Sequence, residues 1–235
     1  MEPARDLGDV TVVLPALDEA AALPAALASF PAGIDLLVVD NGSTDATSAV
    51  AAALGARVVH EPRRGFGAAC WAGVQASPRA LVIAFVDADG SFDGADLAAV
   101  AGPVLRGDAD LVIGSRVRGP RDPGALSRLA LAENRMLGLA CGLLFGVRLS
   151  GLGPYRALRR DTLLRLGIGD RGQGWPLEMV GRAALAGLRV VEVPVRYHRR
   201  AGGSSKVGGS VRGTARAARH MAVVAARLLA ERVRR

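Results

Sequence analysis

The chain is poor in cysteine and in aromatic residues, and it lacks long hydrophobic runs. Its two cysteines, Cys70 and Cys141, fall in apolar helical patterns, which predicts small buried side chains and no disulfide or metal pair. Aromatic residues make up 4% of the chain, which weakens the case for nucleic-acid bases stacking on an open sheet. The longest uncharged apolar run, residues 136–147, is shorter than the roughly 20 residues that span a bilayer. Because residues 1–6 also lack the pattern of a signal peptide, we expect a cytoplasmic location.

Acidic residues are scarce at the C-terminal end, and the net charge of +8 arises there. Residues 196–235 hold eleven basic residues and one acidic residue, whereas residues 1–195 hold 19 basic and 21 acidic residues. The body of the protein is therefore nearly neutral, and we expect no nucleic-acid partner. A helix predicted over residues 210–233 places arginines on one face and apolar residues on another. This pattern is typical of a helix at an anionic membrane surface, which the surplus of arginine favours, or of a helix docked on its own domain.

Strands and short helices alternate through the first half of the chain. The predicted strands cover residues 10–14, 34–39, 57–60, 80–86 and 110–113, and the predicted helices cover residues 18–30, 44–54, 67–76 and 95–105. A long helix (125–145), an irregular glycine-rich segment, a helix (175–186) and a strand (189–193) follow. This order predicts an α/β fold with a doubly wound, mainly parallel sheet flanked by helices. We expect one domain over residues 1–208 and a basic amphipathic C-terminal helix over residues 209–235.

The most informative motif is residues 87–89 (Asp-Ala-Asp), which follow the apolar run 80–86. A run without polar alternation predicts a central strand that is buried on both faces. Two carboxylates one residue apart raise each other's proton affinity, and a cation removes that cost. Mg²⁺ binds one or two carboxylates and completes its shell with water and substrate phosphates. The alternative is that these aspartates only end the strand.

Polar or acidic residues also follow the other clear strands, at residues 15–19 (Pro-Ala-Leu-Asp-Glu), 40–45 (Asp-Asn-Gly-Ser-Thr-Asp) and 114–116 (Gly-Ser-Arg). Asn41-Gly42 alone is explained as a turn, and Ser43 or Thr44 as a helix cap. A turn at one position does not explain why carboxylates follow several of the predicted strands. Because parallel strands bring these ends to one edge of the sheet, where α/β folds bind ligands, we predict a site there.

A dinucleotide-binding oxidoreductase does not fit this pattern. Such a protein needs Gly-x-Gly-x-x-Gly directly after the first strand, where this chain has Asp18 and Glu19. Residues 64–68 (Arg-Gly-Phe-Gly-Ala) lack the third glycine of that motif. We expect this segment to help bind a phosphate or a base.

Taken in order, these motifs resemble those of family-2 inverting glycosyltransferases with the GT-A fold, and most of all the dolichol-phosphate mannose synthase branch. The resemblance covers about residues 10–215 and also rests on residues 153–156 (Gly-Pro-Tyr-Arg), 174–179 (Gly-Trp-Pro-Leu-Glu-Met) and 200–206 (Arg-Ala-Gly-Gly-Ser-Ser-Lys). The chain departs from the branch where Leu17 and Asp18 replace Tyr and Asn, Ser91 replaces Gln, and Ser150-Gly151 replaces a pair that includes Asp. These departures concern the donor and the acceptor more than the reaction class.

The resemblance implies transfer of a hexose from a nucleotide-sugar, GDP-mannose or UDP-glucose, to a polyprenyl phosphate. It implies Mg²⁺ or Mn²⁺ bound by Asp87 and Asp89, with Asp40 and Glu19 toward the base and ribose. The residues expected to act in catalysis are Asp89, Arg116, Arg200 and Lys206. Those expected to bind substrate are Pro15, Leu17, Glu19, Asp40, Gly42, Ser43, Gly65, Gly67, Asp87, Arg128 and Ser205. Lys206 is the only lysine among the 30 basic residues and lies in a loop rich in glycine and serine, which is typical of a lid over substrate.

The nature of the acceptor follows from the absence of a convincing general base. A lipid phosphate is already anionic and needs none, whereas a neutral hydroxyl needs one. His60 and His198 are weak candidates, and Glu178 on a helix is more simply explained as solvated or paired. We therefore expect a peripheral enzyme at the inner face of the membrane. A transferase with a soluble hydroxyl acceptor and a non-catalytic nucleotide- or nucleic-acid-binding module remain alternatives, and the donor, the acceptor, the oligomeric state and the pathway stay open.

Overall fold

The computed structural model describes residues 6–202 and 211–233, and its centre is a seven-stranded sheet. The strands are β1 (Val10–Ala16), β2 (Asp35–Asp40), β3 (Arg57–His60), β4 (Val82–Phe85), β5 (Leu111–Ser115), β6 (Arg156–Arg159) and β7 (Val190–Pro194). Their spatial order is β3-β2-β1-β4-β6-β5-β7. Strand β6 runs antiparallel to β4 and β5, and the other paired strands are parallel. The predicted mainly parallel sheet is confirmed.

Helices cover both faces of this sheet. They are α1 (Leu23–Ala28), α2 (Thr47–Ala53), α3 (Phe66–Gln75), α4 (Leu97–Leu105), α5 (Arg128–Phe145), α6 (Arg160–Leu166), α7 (Trp175–Leu185) and α8 (Val211–Val233). Residues of α1 and α4 pack on one face, and residues of α3 and α7 pack on the other. The layers therefore follow the doubly wound arrangement that the alternation of elements predicts.

Strand β4 shows how the sequence produces two buried faces. Val82 and Ala84 belong to the core cluster shared with α1 and α4, whereas Ile83 and Phe85 belong to the cluster shared with α3 and α7. All four side chains are buried. Successive side chains of a strand point to opposite faces, so an unbroken apolar run is what a central strand requires. The strand ends shortly before the chain turns polar at Asp87.

The segment predicted to be irregular contains β6 and α6, and this expectation was wrong. Strand β6 has the sequence Arg-Ala-Leu-Arg, so its apolar core is only two residues long and gives no strand pattern. It pairs between β4 and β5 in the middle of the sheet. Arg156 is buried there, donating to the carbonyls of Gly153 and, at 3.1 Å, Pro176. Burial lowers the pKa of Arg156 to about 10.

The helices predicted to begin at residues 18 and 44 begin later, at Leu23 and Thr47. Asp18 has a φ of 51°, in the left-handed region, so it cannot belong to the first turn of α1. Its carboxylate instead accepts a hydrogen bond from the backbone amide of Thr44 at 2.6 Å. The loops after β1 and β2 are therefore longer than predicted and contact one another.

Helix α8 packs against α7. Val224, Ala225 and Leu228 of α8 are buried, and an ion pair of 2.8 Å joins Arg227 to Glu178 of α7. The docked alternative therefore holds for the second half of α8. The side chains of residues 211–218 and the expected domain boundary at residues 208 and 209 lie outside the described residues. Across the described ranges, no helix has both the length and the apolar character needed to cross a bilayer.

Candidate active site

The carboxyl ends of β1, β4 and β5 bring acidic and basic side chains to one edge of the sheet. Glu19 follows β1, Asp87 and Asp89 follow β4, and Arg116 follows β5. Arg200, from the segment after β7, contacts two of these carboxylates. The structure thus brings together residues from four sequence motifs that lie up to 181 positions apart.

Arg200 bridges Glu19 and Asp89. Its Nη2 lies 2.7 Å from Glu19 Oε1, and its Nη1 lies 3.2 Å from Asp89 Oδ2. The backbone holds this arrangement, because the amide of Ala201 donates to the carbonyl of Asp89 at 3.1 Å. A side chain at Gly90, which has a φ of 71°, would place its Cβ 3.0 Å from Cβ of Ala201. Glycine is therefore required where the two segments meet.

Ser91 orients Asp89 from the other side. Its backbone amide and its Oγ donate to Asp89 Oδ1 at 2.9 and 2.5 Å, so Oδ2 is the oxygen that faces Arg200. Ser91 is fully buried. Ser91, which stands where the dolichol-phosphate mannose synthase branch has Gln, therefore positions the carboxylate of Asp89.

Asp87 carries the strongest electrostatic signal at this edge. Burial raises its pKa to about 7, the charge of Asp89 adds to the rise, and Arg116 and Arg200 oppose it. The nearby arginines therefore do not fully neutralise the carboxylate pair. A further cation at this position would favour the ionised form.

The residues fit a divalent cation that is completed by substrate oxygens. Asp87 and Asp89 offer hard oxygen ligands of the kind that Mg²⁺ and Mn²⁺ bind. In the part of the chain that the structure describes, no group of three or more His, Cys, Asp or Glu side chains could hold a metal ion. Arg116 Nε and Arg200 Nε are buried without a hydrogen-bond partner among these residues. Such donors suit phosphate oxygens, so the donor set matches a metal–diphosphate site.

Asp40, at the end of β2, lies in a different hydrogen-bond environment. The Ser43 amide donates to Oδ1 at 2.7 Å, and Ser48 Oγ donates to Oδ2. Burial alone would raise the pKa of Asp40, but these hydrogen bonds outweigh it and lower the pKa. Asp40 is thus held as an ionised acceptor, suited to hydroxyl or N–H groups of a ligand.

Hydrogen bonds join the loops after β1 and β2. The Asp18 amide donates to Ser43 Oγ at 2.9 Å, and the Glu19 amide donates to Thr47 Oγ1 at 2.9 Å. Gly42 has a φ of 84°, and a Cβ there would lie 3.2 Å from Arg64 Nε. The expected substrate residues Pro15 and Leu17 are partly exposed beside this junction. The sequence did not reveal that Asp18 joins the two loops. An aspartate in the first turn of a helix and an aspartate in a loop cannot be told apart from the sequence alone.

The two glycines of residues 64–68 have structural partners. The Gly65 amide donates to Asn41 Oδ1 at 2.8 Å, and the Gly67 amide donates to the Gly172 carbonyl at 3.1 Å. A Cβ at Gly65 would lie 2.2 Å from the carbonyl oxygen of Arg171. Close packing against residues 170–172 therefore explains these glycines, and their role in substrate binding stays a prediction.

Arg116 approaches two residues that sequence reasoning did not single out. Its Nη2 lies 3.5 Å from Asn134 Oδ1 on α5, and its Nη1 lies 3.4 Å from Tyr197 Oη, with the guanidinium 5.3 Å from the ring centre. Next to it, Ser115 Oγ and Ser150 Oγ lie 2.5 Å apart. In the sequence, the only hint of the contact between Asn134 and Arg116 is that Asn134 is a polar residue within a mainly apolar helical segment.

Glu178 has a structural role, as a buried carboxylate with several partners. It is fully buried, pairs with Arg182 at 2.7 Å and Arg227 at 2.8 Å, and accepts the Asp170 amide at 2.7 Å. Burial would raise its pKa, but the hydrogen bond from Arg182 and the other contacts outweigh it and lower the pKa. The expectation that it is paired is confirmed, which disfavours it as a general base.

The remaining expected residues lie at the margin of what the structure describes. Arg128 is exposed in the first turn of α5. Ser205 and Lys206 lie outside the described residues. The histidine candidates are also peripheral: His60 is exposed and lies 3.8 Å from Asp40, and His198 lies 3.3 Å from Asp122.

An α/β sheet with paired carboxylates and arginines at its carboxyl edge has the chemistry that a metal-bound diphosphate requires. The chain matches the Glycosyl transferase family 2 model over residues 11–165, and it belongs to that family. It is a glycosyltransferase. It is 48% identical over 207 residues to an uncharacterized glycosyltransferase of Mycobacterium tuberculosis, with 87% of this chain and 92% of that protein aligned.

The chain is also similar to a relative with a named activity and to a solved structure. The chain is 33% identical over 225 residues to the undecaprenyl-phosphate mannosyltransferase of Micrococcus luteus, which covers 88% of this chain and 90% of the relative. The structure of glucosyl-3-phosphoglycerate synthase from Mycobacterium tuberculosis, in complex with Mg²⁺ and UDP, matches with a TM-score of 0.76 at 23% identity. That match covers 98% of this chain and 84% of the synthase, and it confirms the predicted GT-A fold.

Proposed function

We propose that this protein transfers a hexose, with inversion, from GDP-mannose or UDP-glucose to a polyprenyl phosphate at the membrane surface. The observation that carries the proposal is the pair Asp87 and Asp89 at the end of β4, with Arg116 and Arg200 beside it. This set of groups has the charge and the donors to bind a metal–diphosphate. The undecaprenyl-phosphate mannosyltransferase among the relatives supports a hexose as the transferred group and a polyprenyl phosphate as the acceptor.

Asp87 and Asp89 would hold Mg²⁺ or Mn²⁺, and a bound ion supplies Lewis acidity to the departing diphosphate. The solved synthase that shares the fold was obtained with Mg²⁺ and UDP, which supports this ligand class. Ser91 fixes the rotamer of Asp89, so the carboxylate is oriented before substrate binds. Asp40 and Glu19 face the base and ribose.

The arginines would hold the phosphates. Arg116 and Arg200 each keep a buried Nε without a partner in the described ranges, and a guanidinium binds phosphate through such paired donors. Arg128 and Lys206 complete the set in this proposal. Their charges orient donor and acceptor, and catalysis then rests on positioning and electrostatics.

A polyprenyl phosphate suits a site without a dedicated base. Its phosphate is ionised at neutral pH and attacks the anomeric carbon directly, with the diphosphate leaving from the opposite face. Glu178, the candidate general base on a helix, forms ion pairs with Arg182 and Arg227. The basic C-terminal region and an anionic membrane would bring the enzyme to its acceptor, as a peripheral protein at the inner face of the membrane.

The test is a screen of nucleotide-sugars against short-chain polyprenyl phosphates, with the product mass measured and the anomeric configuration read by NMR. We expect one sugar to be transferred, only when Mg²⁺ or Mn²⁺ is present. If the sugar is transferred to a water-soluble hydroxyl and not to the prenyl phosphate, the acceptor proposed here is wrong. If calorimetry shows no metal-dependent binding of GDP or UDP, the donor class proposed here is wrong.

Deleting residues 209–235 addresses the non-catalytic alternative. A nucleic-acid-binding module that uses the basic tail would lose its ligand with this deletion, whereas a transferase keeps binding metal and nucleoside diphosphate. Because α8 covers part of α7, the deleted protein must first show a cooperative unfolding transition.

A further inference from the structure

Helix α5 presents four large apolar side chains outward. Leu129, Met136, Leu139 and Leu143 are 65%, 63%, 68% and 87% exposed, respectively. They account for four of the nine large hydrophobic side chains that are exposed in the described parts of the chain, and the other five lie apart, in or next to five different elements. At 100° per residue these four fall within an arc of roughly 80° and extend along about 20 Å of helix. We call them the α5 stripe.

Few large apolar side chains of α5 face inward: Leu137, Leu144 and Phe145 pack against the core and are only partly buried. The fully buried residues of α5 are Asn134, Gly138 and Cys141, which are small or polar. A helix that packs only on its own domain places its large apolar residues inward. A cluster of leucines on the outward face marks a contact surface, whereas single exposed apolar residues are ordinary.

The charges around the α5 stripe indicate its partner. Arg128 and Arg135 lie along one edge of the stripe, and Arg148 lies beside Leu139 and Leu143; all three arginines are exposed. The only acidic residue of α5, Glu133, lies on the opposite edge of the stripe. An apolar stripe edged by arginine is suited to the boundary between headgroups and acyl chains of an anionic bilayer. Four side chains alone fall short of the about 800 Å² per partner of a standard protein interface.

An apolar pocket opens on the same surface. Its volume is about 340 Å³, and it is lined by Gly138, Leu139, Gly142, Leu143, Arg148 and Leu149. It offers a recess for an acyl chain of a bilayer phospholipid beside a guanidinium that can contact a headgroup phosphate.

The α5 stripe is also close to the candidate active site. Asn134, on the opposite face of α5, lies 3.5 Å from Arg116, so the stripe is about one helix diameter from that guanidinium. A second path runs from the pocket through Leu149 to Ser150, whose Oγ lies 2.5 Å from that of Ser115, the neighbour of Arg116. A lipid phosphate could therefore reach Arg116 while its chain stays in the bilayer.

We propose that the α5 stripe lies against an anionic phospholipid bilayer, which holds the active site at the depth of the acceptor phosphate. This inference rests on the proposed prenyl-phosphate acceptor. It assigns the apolar membrane contact to α5, since the second half of α8 is docked on α7, and it leaves to the basic C-terminal region only the attraction of charge. It also accounts for the outward leucines, the flanking arginines and the adjoining pocket with one partner.

The test uses the full chain and the double variant Leu139→Gln/Leu143→Gln, which keeps helix propensity and changes exposed side chains only. Binding to phosphatidylcholine vesicles with and without phosphatidylglycerol is measured by co-sedimentation at low and high salt. We expect the double variant to lose about tenfold or more in vesicle affinity, because each leucine contributes apolar burial in the interface. Arg135→Gln should lose about fivefold on anionic vesicles and little on neutral ones.

Val223→Gln is the matched control, because Val223 is 62% exposed on α8 and lies outside the α5 stripe. It should bind vesicles as the unmodified protein does. All variants should bind GDP or UDP with Mn²⁺ unchanged, and they should transfer equally well to a short-chain prenyl phosphate free in solution. Transfer to a long-chain prenyl phosphate embedded in anionic vesicles should fall most for the double variant, less for Arg135→Gln, and not for Val223→Gln.

Unchanged vesicle binding by Leu139→Gln/Leu143→Gln overturns the inference. So does a conversion from dimer to monomer in sedimentation velocity with vesicle binding retained, since a second copy of the chain would then cover the α5 stripe. Failure of the proposed function looks different. In that case metal-dependent nucleotide binding or prenyl-phosphate transfer is missing from the unmodified protein, whatever its vesicle binding.

Discussion

Arg200 Nη1 lies 3.2 Å from Asp89 Oδ2, although 111 positions separate the two residues in the chain. The same guanidinium reaches Glu19 at 2.7 Å, so one side chain links the ends of β1 and β4. The geometry uses the planar fork of arginine, in which two donors point at two acceptors. The segment that carries Arg200 therefore lies against the candidate site, and residues 203–210, which follow it, lie outside the described residues.

The first prediction concerns this fork. Arg200→Lys should lower kcat/KM for transfer by about 10- to 100-fold, because a single ammonium cannot serve Glu19, Asp89 and a phosphate together. Arg199→Lys is the control, since Arg199 is exposed and its side chain donates its hydrogen bonds to the carbonyl of Pro123. Equal rates for the two variants would remove Arg200 from the site.

The second prediction concerns Asp89. Asp89→Ala should abolish transfer and Asp89→Asn should reduce it by about a thousandfold or more, because both remove the negative ligand. Asn can still accept the hydrogen bonds from Ser91, so circular dichroism and thermal melting should show an intact fold. Asp108→Asn, at an exposed carboxylate paired with Arg106, should leave turnover unchanged. Turnover near normal in either Asp89 variant would show that the site is elsewhere.

The third prediction follows from the pKa of Asp87, which burial and Asp89 raise from 3.8 to about 7. Between these two values the unfolded chain is ionised and the folded protein prefers the protonated form, so stability falls as the pH rises. Asp87→Asn removes this loss. Without metal, the variant should be more stable by about 1–3 kcal/mol above pH 7, with the difference vanishing toward pH 4. Urea unfolding at several pH values measures the difference, and Mn²⁺ should stabilise only the unmodified protein.

The fourth prediction concerns Glu178. Glu178→Gln should destabilise the protein by about 2–4 kcal/mol at neutral pH, because it leaves Arg182 and Arg227 without their counter-charge. The pKa of Glu178 is lowered in the fold, so this stabilisation is present above the unfolded value of 4.5 and is lost as the pH falls through the lowered value. In a double-mutant cycle, Arg227→Gln should cost less in the Glu178→Gln background than alone. Loss of the acidic limb of the pH–rate profile in folded Glu178→Gln, where the rate normally falls as the base is protonated, would instead make Glu178 a general base.

The fifth prediction separates two glycines with positive φ. Gly65→Ala should cost about 3 kcal/mol or more, because its Cβ would lie 2.2 Å from the backbone oxygen of Arg171. Gly146→Ala meets no atom within 4 Å and should cost only about 1–2 kcal/mol for its left-handed backbone. Equal values in urea unfolding would mean that residues 64–68 and 170–172 do not pack as described.

The sequence alone was sufficient for the alternation of strands and helices, for the central position of β4 and for the place of Asp87 and Asp89 at its end. These features depend on short-range patterns, namely an unbroken apolar run, the spacing of helices and the polar residues that end strands. The bounds of β3 were predicted without error, and those of α3, α4, α7 and α8 to within two residues, because each has a clear apolar period and a clear end.

Which distant groups meet depends on the packing of the whole fold. Strand β6 is held in the sheet by its neighbours β4 and β5, and its own sequence with the buried Arg156 has little strand character. The contact of Arg200 with Asp89 and the outward orientation of the α5 stripe likewise depend on how separate elements pack. The physical reason is that backbone propensity and hydrophobic period act over a few residues, whereas the pairing of a charge or the burial of a face is set by groups that the fold brings from elsewhere in the chain.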